Sequence, residues 1–347
     1  MISFFYENSN FIGDRERIAF NDRSMDLAVI HSESTLTKLR MLTEFRDNDK
    51  VFEPSGVLLG EYVLFGDGLM LLDKNGDLIK INHTHHDIAF RGSIDDRYMR
   101  DQNGVVDGLL KDWNNLQVVE NVPVISHPFA YNYYHFSLEL AAKIRFFEKL
   151  DIEQALIPLS NVVQNYQRDI LIRCAKRFRI STYSQPIRVK NPLLAAGFRT
   201  MEGTLWLRST LGMKCKPGNK RYYIRRSSRG LSENDTLKAF IEKFDFETVD
   251  FEVGDLSVEE QVKRLDNAGI ILAAHGANLV NTIYLNKPLT IIEILGSRYA
   301  CSAFMDTSSV LEFNYHAVVS SNYDDNDNIV VDCDKLGALV DSIISNL

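Results

Sequence analysis

Residues 269–281 read GIILAAHGANLVN, and the break between two apolar stretches falls at His275, Gly276, Ala277 and Asn278. The pattern puts an imidazole, a residue without a side chain and a carboxamide where a buried strand hands over to a helix. Backbone N–H groups at a helix start attract anions, and a glycine lets a ligand come close to the main chain. His275 and Asn278 can donate further hydrogen bonds there. A tight turn closed by a capping histidine would carry the same letters. Arg225 ends the segment RYYIR and Arg226 follows it, with Arg229 just beyond. By themselves they read as a solvated basic turn. Glu293 breaks the apolar run LTIIEIL; a lone buried carboxylate is costly, so it demands a partner or a ligand hydroxyl. Paired arginines, a helix start and one carboxylate together suit a nucleotide diphosphate and its ribose. The dinucleotide fingerprint G-x-G-x-x-G is absent, which disfavours NAD.

A second group lies in NYYHFSLE, residues 132–139. His135 and Glu139 are four apart, on one helix face off the apolar stripe. They suit an acid–base pair in which the carboxylate orients the imidazole. An ordinary surface or interdomain pair has the same spacing, and spacing alone favours it. HTHHD, residues 83–87, puts His83 and His85 on one strand face, but no third metal ligand is apparent and a polar strand edge reads better. Arg168, Arg173, Lys176, Arg177 and Arg179 form a basic helix face that is usually just solvated, although it could meet anionic lipid.

These residues need elements to hold them. In the C-terminal half, 221–225, 247–253, 269–274 and 289–295 read as strands that alternate with helices opened by Ser232 and by the capping box Ser257/Glu260. Strands apolar on both faces and alternating with helices imply a parallel, Rossmann-like α/β sheet. In the N-terminal half, residues 68–81 read as a hairpin around Asn75-Gly76. Residues 122–126 read as a buried strand, about 132–149 as a helix with Tyr133, Phe136, Leu140, Ile144 and Phe147 on its core face, 155–159 as a strand and 161–179 as an amphipathic helix. The expected division is 1–213, β-rich to 120 and α/β over 121–213, then 214–347; the boundary falls in the polar stretch Lys214–Lys220.

Composition narrows the function classes. The chain has 347 residues, 45% hydrophobic and 25% charged, a soluble globular make-up long enough for about two domains of ~150 residues each. A net charge of −8 argues against a dedicated duplex nucleic-acid binder. Four scattered cysteines give neither a zinc ribbon nor a disulfide framework, and point to a reducing compartment. No signal peptide and no run of ~18 apolar residues is evident. The expected location is cytoplasmic, and peripheral contact with the inner membrane face is compatible with it.

Taken in order, the segments resemble glycosyltransferase family 61. The resemblance rests on Asn132-Tyr133-Tyr134-His135, on Tyr223-Ile224-Arg225-Arg226 and on Leu256 to Gln261. It continues through His275 to Asn281 and through Ile292-Glu293-Ile294, and it covers about residues 60 to 320. It implies a GT-B architecture, two Rossmann-like domains facing across a cleft, and inverting transfer from a nucleotide sugar, typically a UDP-sugar, with no required metal or other cofactor. The C-terminal half would bind the donor through Arg225, Arg226, Arg229, His275, Gly276, Ala277, Asn278 and Glu293. The N-terminal half would bind a glycan or lipid-linked glycan acceptor. The missing leader resembles the bacterial branch, which serves surface-polysaccharide synthesis. The family's second glycine is Asn278 here, its threonine is Val280, and the segment after the arginines reads SSRGLSEN. Those departures motivate an alternative, a catalytically inactive nucleotide-sugar-binding or scaffold subunit of a polysaccharide assembly complex. For a transferase, the base must come from the acceptor half: His135 first, with Glu139 fixing its tautomer, and His127 or Glu139 itself as rivals.

Overall fold

The computed structural model describes residues 11–18, 51–58, 60–65, 70–76, 78–80, 102–127, 129–148, 152–195, 201–213, 215–251, 255–298, 301 and 303–346. HTHHD lies outside the described residues. The chain is α/β, and Cα packing divides it into two compact units, β1 with Val51–Leu211 in the first and Gly212–Leu347 in the second.

The first unit holds β1 (Phe11–Ile18), β2 (Val51–Leu58), β3 (Glu61–Phe65), β4 (Met70–Leu72), β5 (Leu78–Lys80), β6 (Val118–Glu120), β7 (Pro123–Val124), β8 (Gln154–Pro158), β9 (Arg179–Tyr183), β10 (Ile187–Lys190) and β11 (Leu193–Ala195). One sheet runs β1-β2-β11-β7-β8-β9 and the other β5-β4-β3-β10-β6. In the first sheet β11, β7, β8 and β9 are mutually parallel. β7 is the earliest of the four in sequence, with β8 on one side and β11 on the other, so the direction of winding reverses at β7. Leu64 and Val189 of one sheet share a buried cluster with Val124 and Leu156 of the other, which makes the core of this unit.

The expected hairpin is present as antiparallel β4 and β5. Its turn differs: only Gly76 takes a left-handed φ, at 90°, while the Asp73 carboxylate accepts from Asn75 N at 2.8 Å. An aspartate side chain can mimic a turn in this way, so Asn75 need not adopt positive φ. VPVIS pairs only over Pro123–Val124 as a regular strand, although Ile125 N still donates to Leu156 O. The helix that follows is irregular: a π-helix over His135–Leu140, a 3-10 turn over Ala141–Lys143 and a short α2 (Ile144–Phe147), α1 being Gln102–Asp112. All five expected core residues are buried. The helix expected over 161–179 is α3 (Asn165–Cys174), so Lys176, Arg177 and Arg179 lie beyond it and the basic face is split. A further helix, α4 (Met201–Leu211), closes the unit.

The second unit is one five-stranded parallel sheet, order β13-β12-β14-β15-β16, with β12 (Lys220–Arg225), β13 (Phe246–Asp250), β14 (Ala268–Ala274), β15 (Thr290–Gly296) and β16 (Asn314–Ser320). A small ribbon, β17 (Asn322–Tyr323) with β18 (Ile329–Val330), follows. Helices α5 (Asp235–Lys243), α6 (Val258–Lys263), α7 (Ala303–Leu311) and α8 (Cys333–Ser345) complete it. The cap of α5 is Asn234, whose side chain accepts from Leu237 N at 2.9 Å, rather than Ser232. The box Ser257/Glu260 caps α6 as the sequence predicts. Alternate residues of each strand enter opposite faces: Ile270, Leu272, Ile292 and Ile294 join Phe240, Leu336 and Val340 in one core, and Glu293 and Tyr315 share the other face. Ile292→Ala should cost about 2–5 kcal/mol, whereas Ile172→Ala on exposed α3 should stay within ~0.5 kcal/mol; urea unfolding of the two variants measures the contrast.

Candidate active site

The second unit places two segments of its own sheet at one point. β12 is the first strand, β13 lies on one side of it and β14 on the other, so the winding reverses between β12 and β14. In open α/β sheets such a reversal opens a crevice beyond the strand carboxyl ends, where ligands bind. Arg225-Arg226 leave β12 there and His275-Gly276 leave β14. A 3-10 helix over Ala277–Tyr284 follows at once, with Gly276 at its cap.

Gly276 has an extended φ of 171°, so its need is for space rather than for a special backbone. A Cβ there would lie 2.3 Å from Nη1 of Arg226 and 2.6 Å from its Cζ. The place above the glycine is thus taken by the Arg226 guanidinium, which donates to the His275 carbonyl. The sequence suggests a glycine cleared for a phosphate; the fold uses it to seat an arginine against the turn. Arg225 turns to Glu233, Nε to Oε1 at 2.8 Å, with both side chains about half exposed. Arg229 is exposed on a left-handed backbone, φ 51°. Ala277 and Asn278 are half-buried at the start of the 3-10 helix.

Glu293 is fully buried, with 0% exposure. It does not wait for a ligand hydroxyl: its Oε1 is 2.6 Å from Nδ1 of His275, and its Oε2 accepts from the Tyr315 hydroxyl. Two partners answer the desolvation cost that the sequence flags. The His275 ring also meets Phe304 of α7 at 5.6 Å between centroids. Sequence reasoning missed Tyr315, because a tyrosine two registers along a neighbouring strand leaves no local signal. It also missed the link between Gln261 and Asn281. Asn281, fully buried, donates to Gln261 Oε1 at 3.0 Å and to Asn278 O at 3.1 Å. Gln261 comes from α6, whose capping box aims it, so the SVEEQ and HGANLVN segments are parts of one construction.

In the first unit, β7 runs out into Ser126 and His127, again where the winding reverses, and His127 is fully buried. Glu139 is buried as well, so it does not lie on an outward helix face as the spacing suggests; the π-turn carries it inward. Its Oε2 lies 2.6 Å from Nδ1 of His135 and 2.9 Å from Nε2 of His127, the latter off the ideal hydrogen-bond line. The two rings stack, with 5.3 Å between centroids. A π-turn of this kind widens a helix locally and is frequent at functional sites. Burial would raise the Glu139 carboxyl, but the charge of His135 and the hydrogen bonds from both histidines outweigh it and hold the group well below the usual carboxylate range.

The two histidines are not equivalent. Nδ1 of His127 accepts from Phe129 N at 3.1 Å, so its proton sits on Nε2, facing Glu139. Burial, opposed only in part by Glu139, lowers its pKa to about 4. Its lone pair is committed, and taking a substrate proton would mean giving up that bond. His135, more open at 17% side-chain exposure, turns Nδ1 toward Glu139; with a proton on that nitrogen, a neutral ring has its lone pair on Nε2. Among the described residues His127, His135 and Glu139 are close enough to share a metal ion by count alone. They fit one poorly, since a neutral His127 with Nδ1 accepting has no lone pair on Nε2 to give.

His127 is neutral in the fold between pH ~4 and ~6.5, where the unfolded chain binds a proton. Stability is therefore lost as pH falls through that window, by about 3 kcal/mol at full depth for a pKa lowered to about 4. Chemical denaturation at a series of pH values should show this decline in the wild type and a shallower one in His127→Gln.

No curated protein matches the chain. Residues 133–292 match the family model described as Glycosyltransferase 61, a stretch that begins two residues before His135 and stops one short of Glu293. The matched stretch covers somewhat less than half of the chain, and it supports a glycosyltransferase 61 domain and an enzyme that transfers sugars.

Proposed function

We propose that the enzyme is an inverting glycosyltransferase of the GT-B type. In this reading it moves a sugar from a UDP-sugar to a hydroxyl of a glycan or lipid-linked glycan in surface-polysaccharide synthesis, at the cytoplasmic side of a membrane. The observation that carries the reading is the turn at the winding reversal of the second unit, where Arg226 and His275 put positive charge and N–H donors at a strand end. Such a turn suits the diphosphate of a donor. His135 is the base: its Nε2 takes the acceptor proton as the new oxygen–carbon bond forms. Glu139 steadies the imidazolium that results. The sugar–phosphate bond breaks on the opposite side, and the electron pair leaves with UDP, whose added charge Arg226 and His275 offset. Arg229 and Asn278 fit outer donor contacts, and Arg225 does so only by leaving Glu233.

His135→Asn should abolish nearly all transfer while UDP still binds, as followed by product formation and by calorimetry. Transfer that persists in this variant would remove the base assignment. Gly276→Ala should fold, since the atoms it meets belong to the end of a flexible side chain, yet expel Arg226 and reduce transfer ~10–100-fold, the worth of a charge-assisted hydrogen bond or two. Transfer should survive EDTA; loss restored by Mn²⁺ would refute the metal-independent reading and return attention to His127, His135 and Glu139.

A further inference from the structure

We propose that Tyr315 is a positioning residue for sugar transfer: it anchors Glu293 so that His275 keeps its proton and presents a charged imidazole to the donor diphosphate. The proposal rests on the donor-site reading above. Tyr315 lies outside the stretch that matches the family model, on β16, and nothing in the local sequence marks it. The sheet register explains how it arrives. Ile291 pairs with Tyr315 and Glu293 with Ala317, so Glu293 and Tyr315 stand on the same face, two registers apart on neighbouring parallel strands. A long aromatic side chain spans that diagonal. Its hydroxyl reaches Oε2 of Glu293, while His275 holds Oε1.

The chemistry follows from burial. A carboxylate without exposure prefers to be neutral and would take a proton from any base beside it. His275 Nδ1 is 2.6 Å away, close enough for the two groups to share a proton. A donor on the second oxygen favours the anion, and this leaves the shared proton on the imidazole. Tyr315 can only donate here: burial, then the charge of Glu293, push its hydroxyl well above the ordinary range, so it stays protonated at working pH. The other charged groups nearby are Arg226, whose guanidinium bonds the His275 carbonyl, and Asp306 of α7, which with Cys301 acts on Tyr315. None of them supplies a second donor to Glu293. Without the tyrosine hydroxyl the proton moves to Glu293, and His275 faces the diphosphate neutral.

The test compares full-length wild type with Tyr315→Phe, Glu293→Gln, His275→Gln and the double variant Tyr315→Phe/His275→Gln. UDP binding is followed by calorimetry near neutral pH, and the carboxyl stretch by infrared difference spectroscopy. Tyr315→Phe should weaken UDP about tenfold, the effect of losing one charge-assisted contact, and show a protonated carboxylic-acid band that the wild type lacks. In the His275→Gln background the same change should have no further effect on UDP. Wild-type affinity in Tyr315→Phe, a loss without the acid band, or an equal loss in both backgrounds would each overturn the proposal. If Tyr315→Phe does not fold, Glu293→Gln decides: it should weaken UDP by about the same factor, and wild-type binding would overturn the role. UDP binding untouched by His275→Gln would instead remove the donor-site reading, and this inference with it.

Discussion

A carboxylate that loses all its water must be answered by more than one donor, and that requirement organises a cluster of buried polar groups in each unit. Glu293 and Glu139 are both buried and both lie 2.6 Å from an imidazole Nδ1. In each case a second donor, the Tyr315 hydroxyl or His127 Nε2, approaches the same carboxylate. Burying either charge unpaired would cost several kcal/mol, so the pairs are conditions for folding and, in the proposed mechanism, sources of reactivity. Each also leaves a histidine with its orientation fixed and its Nε2 side turned away from the carboxylate. Both properties come from one interaction, and a change that spoils the chemistry will tend to weaken the fold.

Sheet topology decides where those histidines stand. In the second unit the strand order reverses between β12 and β14, and in the first it reverses at β7. At such a reversal the connecting chains depart in opposite directions and leave the strand ends uncovered. His275 and His127 are each the residue at, or just beyond, the end of the strand concerned. His135, eight residues on from His127, is brought back to the same spot by a π-turn and stacks on it. Irregular helix geometry is tolerated there because the buried carboxylate fixes the turn from the other side.

The loop chemistry around HGAN shows how separated segments become one part. Arg226 packs against a glycine that no other residue could replace without displacing it, and donates to the carbonyl beside that glycine. Asn281 ties the far end of the 3-10 helix to Gln261 on α6. The turn is thus held from β12, from α6 and, through Glu293 and Tyr315, from β15 and β16. A turn so restrained has little freedom to rearrange, so in the proposed donor role its N–H groups would be aligned beforehand. This is the preorganisation that makes backbone donors effective toward developing charge.

Apolar strands alternating with helices and the Ser257/Glu260 box were enough to read the parallel sheet from the sequence, and the apolar run broken by Glu293 marked a carboxylate that had to find partners. These are local signals, since periodicity, capping and an out-of-place charge are written in neighbouring residues. The spacing of His135 and Glu139 likewise marked the pair, but it could not tell an exposed ion pair from a buried one. Burial depends on a π-turn and on the packing around it. His135 was ranked above His127 from position along the chain, whereas what distinguishes them in the fold is a 3.1 Å bond from Phe129 N to one imidazole nitrogen. The identity of the partner for Glu293 was beyond reach for the same reason: Tyr315 is 22 residues away and meets it only through strand register. Sequence fixes which groups are available and which of them must find partners. Tertiary structure decides the partners, because hydrogen bonds are satisfied across strands and turns, between residues whose nearness the chain order does not record.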